Sequence, residues 1–393
     1  MTAEGLAVPP PFLRVNTAAN RASTVAKQTT TTTVQQEPRE CDTHVNANSG
    51  KKRSQGSVFR TVEPDVKDVT KNGVDPDCSG HRRLRLHLDY CCSPRSLISV
   101  QHMDNYCFIQ GDVCDQRLVS HLFNTEDIDV VFHLAAMTHV ETSYLCPSLF
   151  QRVNVEGTRV VLAAARGAGH ALRRFVYVST DEVYGGGGLQ VFDEDSPLRP
   201  SNPYSATKAA AECLVQSYWD EYKFPVIVTR SNNVYGPRQY PEKVIPRFVS
   251  LLQANKKCTI QGSSPKSRHF LYVDDVIEAF LLVLAQGVVG GVYNMGVGHE
   301  VPILQLAREL VTMIQDVPET QLSDWLDFVP DRPRLELRYP ISSEKLRGLG
   351  WRPRVPWTEG LRRTVEWYKS NPDFWPGESE DRGNGTGIIT SDS

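Results

Sequence analysis

The run Val176-Tyr177-Val178-Ser179-Thr180-Asp181-Glu182 constrains this chain more than any other stretch. It opens on β-branched and aromatic residues, the composition of a strand buried on both faces. It then stops on consecutive polar residues, Ser179 to Glu182. Strands of this kind belong to parallel sheets covered by helices, and ligands bind beyond their carboxyl ends. Two adjacent carboxylates beside a hydroxyl can there divide into an acid and a base, once their surroundings separate their pKa values. A strand end followed by solvated turn residues is the plain alternative.

A second segment sharpens the choice. Asn202-Pro203-Tyr204-Ser205-Ala206-Thr207-Lys208 opens a helical stretch that runs to about Tyr222. Tyr204 and Lys208 are spaced i,i+4 and share one helix face. An ammonium close to a phenol favours the phenolate and lowers its pKa from ~10. A tyrosine tuned in this way can take a proton from a sugar hydroxyl while a hydride leaves the same carbon. Chance often produces Tyr-x-x-x-Lys. Its specificity here comes from the strand ending in Ser-Thr-Asp-Glu shortly upstream.

The whole chain of 393 residues allows one large or two modest domains, and its 40% hydrophobic content suits a packed core. A formal net charge of −3 gives no electrostatic case for nucleic acid or an anionic membrane. No apolar run is long enough to span a bilayer. The nine cysteines include no zinc-like C-x-x-C pair, and no signal-peptide core follows Met1. Reduced thiols in a cytoplasmic protein are the simplest expectation.

Further runs place the chain in a family. They are His133-Leu134-Ala135-Ala136, Val153-Asn154-Val155-Glu156-Gly157-Thr158, Arg230-Ser231-Asn232-Asn233-Val234-Tyr235-Gly236-Pro237, Arg268-His269-Phe270-Leu271-Tyr272-Val273 and Asp331-Arg332-Pro333. With Ser179–Gly185 and Asn202–Lys208, they resemble the extended short-chain dehydrogenases/reductases, the NAD-dependent epimerase/dehydratase family. Within it the chain is similar to the dTDP-glucose 4,6-dehydratases in their animal form. Related epimerases and decarboxylases usually lack the Asp-Glu pair. The resemblance covers roughly residues 84 to 370.

It implies an α/β fold, a Rossmann-like doubly wound parallel sheet with a smaller mixed α/β substrate domain. The expected division is a non-homologous tail over 1–83 and an NAD-binding domain over 84–235. A nucleotide-sugar domain would follow over 236–371, then a second tail over 372–393. By resemblance, Thr180, Asp181, Glu182, Tyr204 and Lys208 are catalytic. Asp112 and Val113 meet the adenine of NAD, Leu134, Ala135, Ala136 and Thr138 line the cofactor, and Asn233 meets nicotinamide and substrate. His139 and Lys243 join the sugar side, where Arg268 and Arg332 hold the diphosphate as guanidinium forks suit it. An exposed ion pair is the alternative for either arginine, and a strand-end turn for Asp112. For Asn154 the expected role is structural, a hydrogen bond holding strand ends. Glu141 stands where the family has Asp, and Arg334-Leu335-Glu336 where it often has Gly-His-Asp. A homodimer through the helices of Asn154 and Tyr204 is implied, and no metal.

The implied reaction is an internal redox cycle. Tyr204, with Lys208 and Thr180, removes the 4-OH proton while NAD⁺ accepts the C4 hydride. The ketone acidifies C5–H, which Glu182 takes, and Asp181 protonates the departing 6-OH. Return of the hydride to C6 gives a 4-keto-6-deoxy sugar.

One departure stands against this. The family begins with a strand, a Gly-x-x-Gly-x-x-Gly turn and a helix, whose backbone N–H groups hold the pyrophosphate. No such run precedes residue 84. The first strand, the phosphate loop, the first helix and most of the second strand are expected to be replaced. Leu86 takes the place of the ribose-binding acid, and Asp89 falls in a loop position. Two other readings follow: a related epimerase or decarboxylase, and a variant impaired in catalysis that acts at most as a binding protein.

Overall fold

A computed structural model describes the strand 83–87 and residues 93–186, 190–262, 266–330 and 340–375. The expectations for the tails, for Asp89, and for Arg332 with its Asp-Arg-Pro run lie outside the described residues.

The strands are β1 Arg83–His87, β2 Tyr106–Gln110, β3 Val130–His133, β4 Arg174–Thr180, β5 Val226–Ser231, β6 Asn233–Tyr235, β7 Cys258–Gln261, β8 Ser267–Tyr272, β9 Val292–Met295, β10 Glu300–Pro302 and β11 Leu326–Val329. The helices are α1 Gln116–Thr125, α2 Val140–Leu145, α3 Pro147–Phe150, α4 Gly157–Gly167, α5 Pro203–Tyr222, α6 Val244–Gln253, α7 Val273–Gln286, α8 Ile303–Gln315, α9 Glu344–Gly348 and α10 Trp357–Ser370. Local chemistry sets the ends of those that matter here. Asp115 caps α1 by accepting from the N–H groups of Arg117 and Leu118. At α5, Asn202 and Ser205 form a reciprocal capping box, with Pro203 in the first turn. That helix stops at Lys223, which turns left-handed at φ 52°.

Two parallel ladders carry the α/β half. One runs β3-β4-β5-β9 and the other pairs β1 with β2. In the first, β4 and β5 are buried and are covered by Val160, Leu162, Ala211 and Val215 from α4 and α5. β1 lies in register with β2, Leu86 opposite Ile109, so a parallel strand forms in the stretch whose sequence departs from the family. Among the described residues no ladder joins β1 or β2 to β3. In the strand expected to be buried at 129–134, Val130 to Phe132 are correspondingly half-buried, His133 is buried, and Leu134 just after it is 56% exposed. The reason is geometric: β3 has a neighbour, β4, along one edge.

The segment expected as one helix over 150–169 is three helical pieces. Residues Gln151–Glu156 widen into π-type turns between α3 and α4, and Asn154 sits in the widened part. Such insertions re-aim a side chain without ending the helix. The helix expected from Trp351 starts at Trp357 as α10, with Pro353 and Pro356 in the segment before it.

The remaining strands make a smaller mixed half. β8 lies between antiparallel β10 and parallel β6, and β7 pairs with β11. The core of this half packs α6, α8 and α10 on Tyr235, Phe270 and Tyr272. β10 and β11 are too short for their periodicity to be read from sequence. β9, although late in the chain, adds to β5 and so ties the two halves together.

Candidate active site

The site forms where β4 and β5 end side by side. Thr180 leaves β4 and caps a tight turn over Asp181–Tyr184, its hydroxyl accepting from Glu182 N–H at 3.3 Å. Gly185 closes the turn at φ 79°, where an added Cβ would collide with the Arg199 carbonyl. The turn therefore has a fixed direction and aims two carboxyl groups differently.

Asp181 points inward and is 2% exposed. The Thr180 hydroxyl donates to it at 3.2 Å, and Asn232 Nδ2 donates at 2.7 Å. Burial pushes its pKa up to about 7; the Asn232 bond opposes the rise, and the Glu182 charge adds to it. Glu182 is half-buried and accepts from Asn202 Nδ2 at 2.9 Å. Burial raises it too, against the Asn202 bond and the positive charges of Arg268 and Lys243. The neighbours thus hold different protonation tendencies, as acid and base work requires.

Tyr204 and Lys208 project from the first turns of α5 towards β4, and both are buried. Tyr204 is hydrogen-bonded to Thr180. Its pKa lies above the ordinary phenol value, not below it as the spacing suggested. Burial is the main cause, the Glu182 charge the next, and the Thr180 bond opposes both. Lys208 serves a different neighbour: its ammonium donates to the Val178 carbonyl at 2.7 Å and stands 4.3 Å from the centre of the Tyr177 ring. Burial lowers Lys208 to about 7, with Glu212 opposing.

The residues assigned to the sugar side gather at the same mouth. Lys243 donates to both the carbonyl and the hydroxyl of Thr138 at 3.1 Å, and pairs with buried Glu242 at 3.1 Å. His139 stands between Glu141 and Glu242, 3.8 Å from each, and its Nδ1 contacts the Thr142 hydroxyl at 2.6 Å. Asn233 is half-buried in β6, opposite Phe270. Arg268, half-buried in β8, is near enough to act on both carboxyl groups.

The adenine-side residues are differently placed. Asp112 is bridged to Arg152 at 2.6 Å and accepts the Cys114 N–H at 2.8 Å. Val113 is buried against Gly157, in the core rather than on an open surface. Ala135 and Ala136 are half-buried after β3. Asn154 is structural, as expected: it accepts from Met137 N–H at 2.7 Å and donates to the Met137 carbonyl and the Thr207 hydroxyl. It thereby pins the β3 loop to α5.

Sequence reasoning assigned no role to Asn202, Asn232, Glu212 or Arg230. The first two are the carboxyl partners just described. The register offered a signal for one of them, since Thr180 lies opposite Ser231 and so Asp181 meets Asn232. Glu212 and Arg230 form a buried ion pair at 2.7 Å behind the site.

Comparison with known proteins finds relatives over most of the chain. The family model described as GDP-mannose 4,6 dehydratase matches residues 89–364. The dTDP-D-glucose 4,6-dehydratase of Bos taurus is 54% identical over 289 residues, 73% of this chain and 81% of that protein. Among solved structures, the dTDP-glucose 4,6-dehydratase DesIV of Streptomyces venezuelae, with NAD bound, superposes with a TM-score of 0.71 at 35% identity. The match covers 77% of this chain and 91% of that one. The UDP-glucose 4-epimerase of Thermotoga maritima shares the fold at a TM-score of 0.68 and 26% identity, covering 78% and 95%. With its paired carboxyls between Tyr204 and Arg268, the chain belongs to the nucleotide-sugar 4,6-dehydratase family of extended short-chain dehydrogenases/reductases, in the dTDP-glucose 4,6-dehydratase branch.

Proposed function

We propose that this chain catalyses the NAD-dependent dehydration of dTDP-glucose to dTDP-4-keto-6-deoxyglucose. The observation that carries the reading is the adjacent pair of buried Asp181 and half-buried Glu182, with each carboxyl held by its own asparagine. An epimerase needs no second acid–base pair.

The residues fit the reacting half of NAD. Ala135 and Ala136 leave room after β3, while Thr180, Tyr204 and Lys208 line the end of β4. Leu134, Thr138 and Asn233 would border the ring, with Asp112 and Val113 on the adenine side. When bound, NAD supplies hydride acceptance from C4 and hydride return to C6. Tyr204 takes the 4-OH proton, with Thr180 as its hydrogen-bond partner. To accept that proton Tyr204 must already be the phenolate, the form its raised pKa disfavours, so Lys208 has to offset the phenolate charge before the transfer. Glu182 then removes the C5 proton, made acidic by the 4-ketone. Asp181, protonated over the lower part of the neutral range, delivers its proton to the 6-OH, which leaves as water. Arg268 and Arg332 would hold the diphosphate, with Lys243 and His139 on the sugar.

The family's homodimer, through the helices of Asn154 and Tyr204, and a cytoplasmic setting belong to the same proposal. So does the division into 84–235 and 236–371. Among the described residues no helix is long and apolar enough to cross a membrane.

The test is to purify the chain, denature it and assay released NAD(H), then follow turnover of dTDP-glucose. Near one equivalent of nucleotide, with turnover abolished by Glu182→Gln, is expected. No nucleotide, and no thermal shift on adding NAD⁺, would overturn the proposal. It would favour the binding-protein reading, to which the missing Gly-rich run points.

A further inference from the structure

Behind the carboxyl pair and the Tyr204–Lys208 face lies a second polar cluster, centred on a buried ion pair. Glu212 and Arg230 are 4% and 5% exposed. The Arg230 guanidinium donates to the Glu212 carboxylate through Nη2 at 2.7 Å and Nε at 3.0 Å. Its other nitrogen, Nη1, donates to the Tyr184 hydroxyl at 2.6 Å and to the Glu194 carbonyl at 3.2 Å. The Tyr184 hydroxyl donates in turn to Asn294 Oδ1 at 2.8 Å, and the Asn294 backbone N–H donates to the Glu194 carboxylate at 2.8 Å. Burying so many polar groups is costly, and a pair of well-packed apolar residues would commonly serve stability as well. The position of the cluster says what it is for. Glu212 lies one turn beyond Lys208 on the inner face of α5. Tyr184 is the last residue of the turn that carries Asp181 and Glu182.

We propose that Glu212 and Arg230 are the positioning pair of this site: Glu212 is the counter-charge of buried Lys208, and Arg230 ties that carboxylate through Tyr184 to the turn bearing Asp181 and Glu182. One ion pair thus registers the helix that carries the redox residues against the turn that carries the elimination residues. Lys208 has few other sources of charge balance. The Val178 carbonyl and the Tyr177 ring face it from β4, and Tyr204 lies one turn back on α5. His133, from β3, is close enough for the two positive charges to oppose each other. Burial holds Lys208 down to about 7, and the charge that works against this fall is that of Glu212. The pair acts through Lys208 and the turn. Neither member is placed to touch substrate.

The roles of Lys208 and Asp181 rest on the dehydratase reading, but the test needs no turnover. Lysine labelled at Cε and Nζ is titrated by NMR in the full chain, with the Lys208 signal assigned from Lys208→Gln. Glu212→Gln should lower the Lys208 midpoint by about one pH unit or more. Glu212→Asp, which keeps the charge on a shorter arm, should lower it by less. That variant also decides the matter where the glutamine variant does not fold. An unmoved Lys208 midpoint in a folded variant overturns the counter-charge role. Tyr184→Phe removes the hydroxyl that joins Arg230 to the turn and leaves every charge in place. Amide exchange at Val183 to Gly185 should then rise at least about tenfold, with α5 unaffected. Unchanged exchange overturns the link to the turn. These results leave the dehydratase reading standing, whereas absent NAD binding would sink that reading and leave the Lys208 titration as described.

Discussion

Asn232 donates its side-chain N–H to Asp181 at 2.7 Å, and the contact follows from the pairing of β4 with β5, in which Thr180 faces Ser231. The bond favours the carboxylate, whereas burial and Glu182 favour the acid, and the acid prevails up to a pH of about 7. An acid that must deliver a proton loses effectiveness as it ionises, so turnover should fall on the alkaline side near that pH. Asn232→Leu removes the opposing bond. Its alkaline limb is expected about one unit higher, in a pH–rate profile measured with dTDP-glucose. A limb at the wild-type position would detach Asp181 from that role.

Asp181 also has a stability signature. Its folded pKa is raised from 3.8 to about 7. Its contribution is therefore fully present below about pH 3.8 and is lost as pH climbs to about 7. Buried His133 behaves oppositely. It contacts the Thr158 hydroxyl at 2.9 Å, and burial lowers it from 6.5 to about 3. Its contribution is present above pH 6.5 and is lost as pH falls towards 3. Between about pH 4 and 6.5 the two slopes oppose each other, each by ~1.4 kcal/mol per pH unit at most. Asp181→Asn should make stability rise more steeply with pH across that window, and His133→Gln should make it fall. Urea midpoints at three pH values across the window provide the check. Two variants with the wild-type slope would contradict both assignments.

Asn154 and Arg152 are two residues apart and should differ sharply on truncation. Asn154→Ala removes three hydrogen bonds, two of them buried, and strands both polar groups of the Met137 backbone. A loss of about 2–4 kcal/mol is expected from equilibrium unfolding. Arg152 pairs with Asp112 in the open, its side chain 55% exposed. Arg152→Ala should cost under ~1 kcal/mol. Should Asp112 contact adenine, the variant frees that carboxylate, and NAD⁺ titration calorimetry should then show equal or tighter binding.

The half-buried edge of β3 makes a kinetic prediction. In a parallel ladder with one neighbour, alternate N–H groups face away from that neighbour. Hydrogen exchange should therefore be fast at alternate residues of Val130–His133 and uniformly slow across Val176–Val178 in the middle of the sheet. Uniform protection of β3 would mean that a segment outside the described residues covers its other edge.

Much of the site was legible because its signals are local. A β-branched run ending in Ser-Thr-Asp-Glu reports a buried strand and the polar groups beyond it. An Asn-Pro before Tyr204 reports a capped helix start, which fixes the face shared by Tyr204 and Lys208. Both signals survive because alternation and capping act over a few residues. The pKa of Tyr204 did not yield to the same approach. Spacing put Lys208 on the right face, but whether the phenol meets an ammonium or two carboxylates depends on the turn that packs over it. The half-exposure of β3 was likewise invisible, since its sequence is that of an interior strand.

The sequence by itself determined the α/β class, the positions of the main strands and helices, and which residue types could do acid–base and redox work. These are written in periods and caps that involve near neighbours. Only the tertiary structure decided the partners: Asn232 for Asp181, Asn202 for Glu182, and Glu212 with Arg230 behind Lys208. It also decided that, among the described residues, no ladder joins β1 or β2 to β3. Charges interact through space in a medium whose polarity depends on burial, so their tuning follows from strand register and packing rather than from separation along the chain.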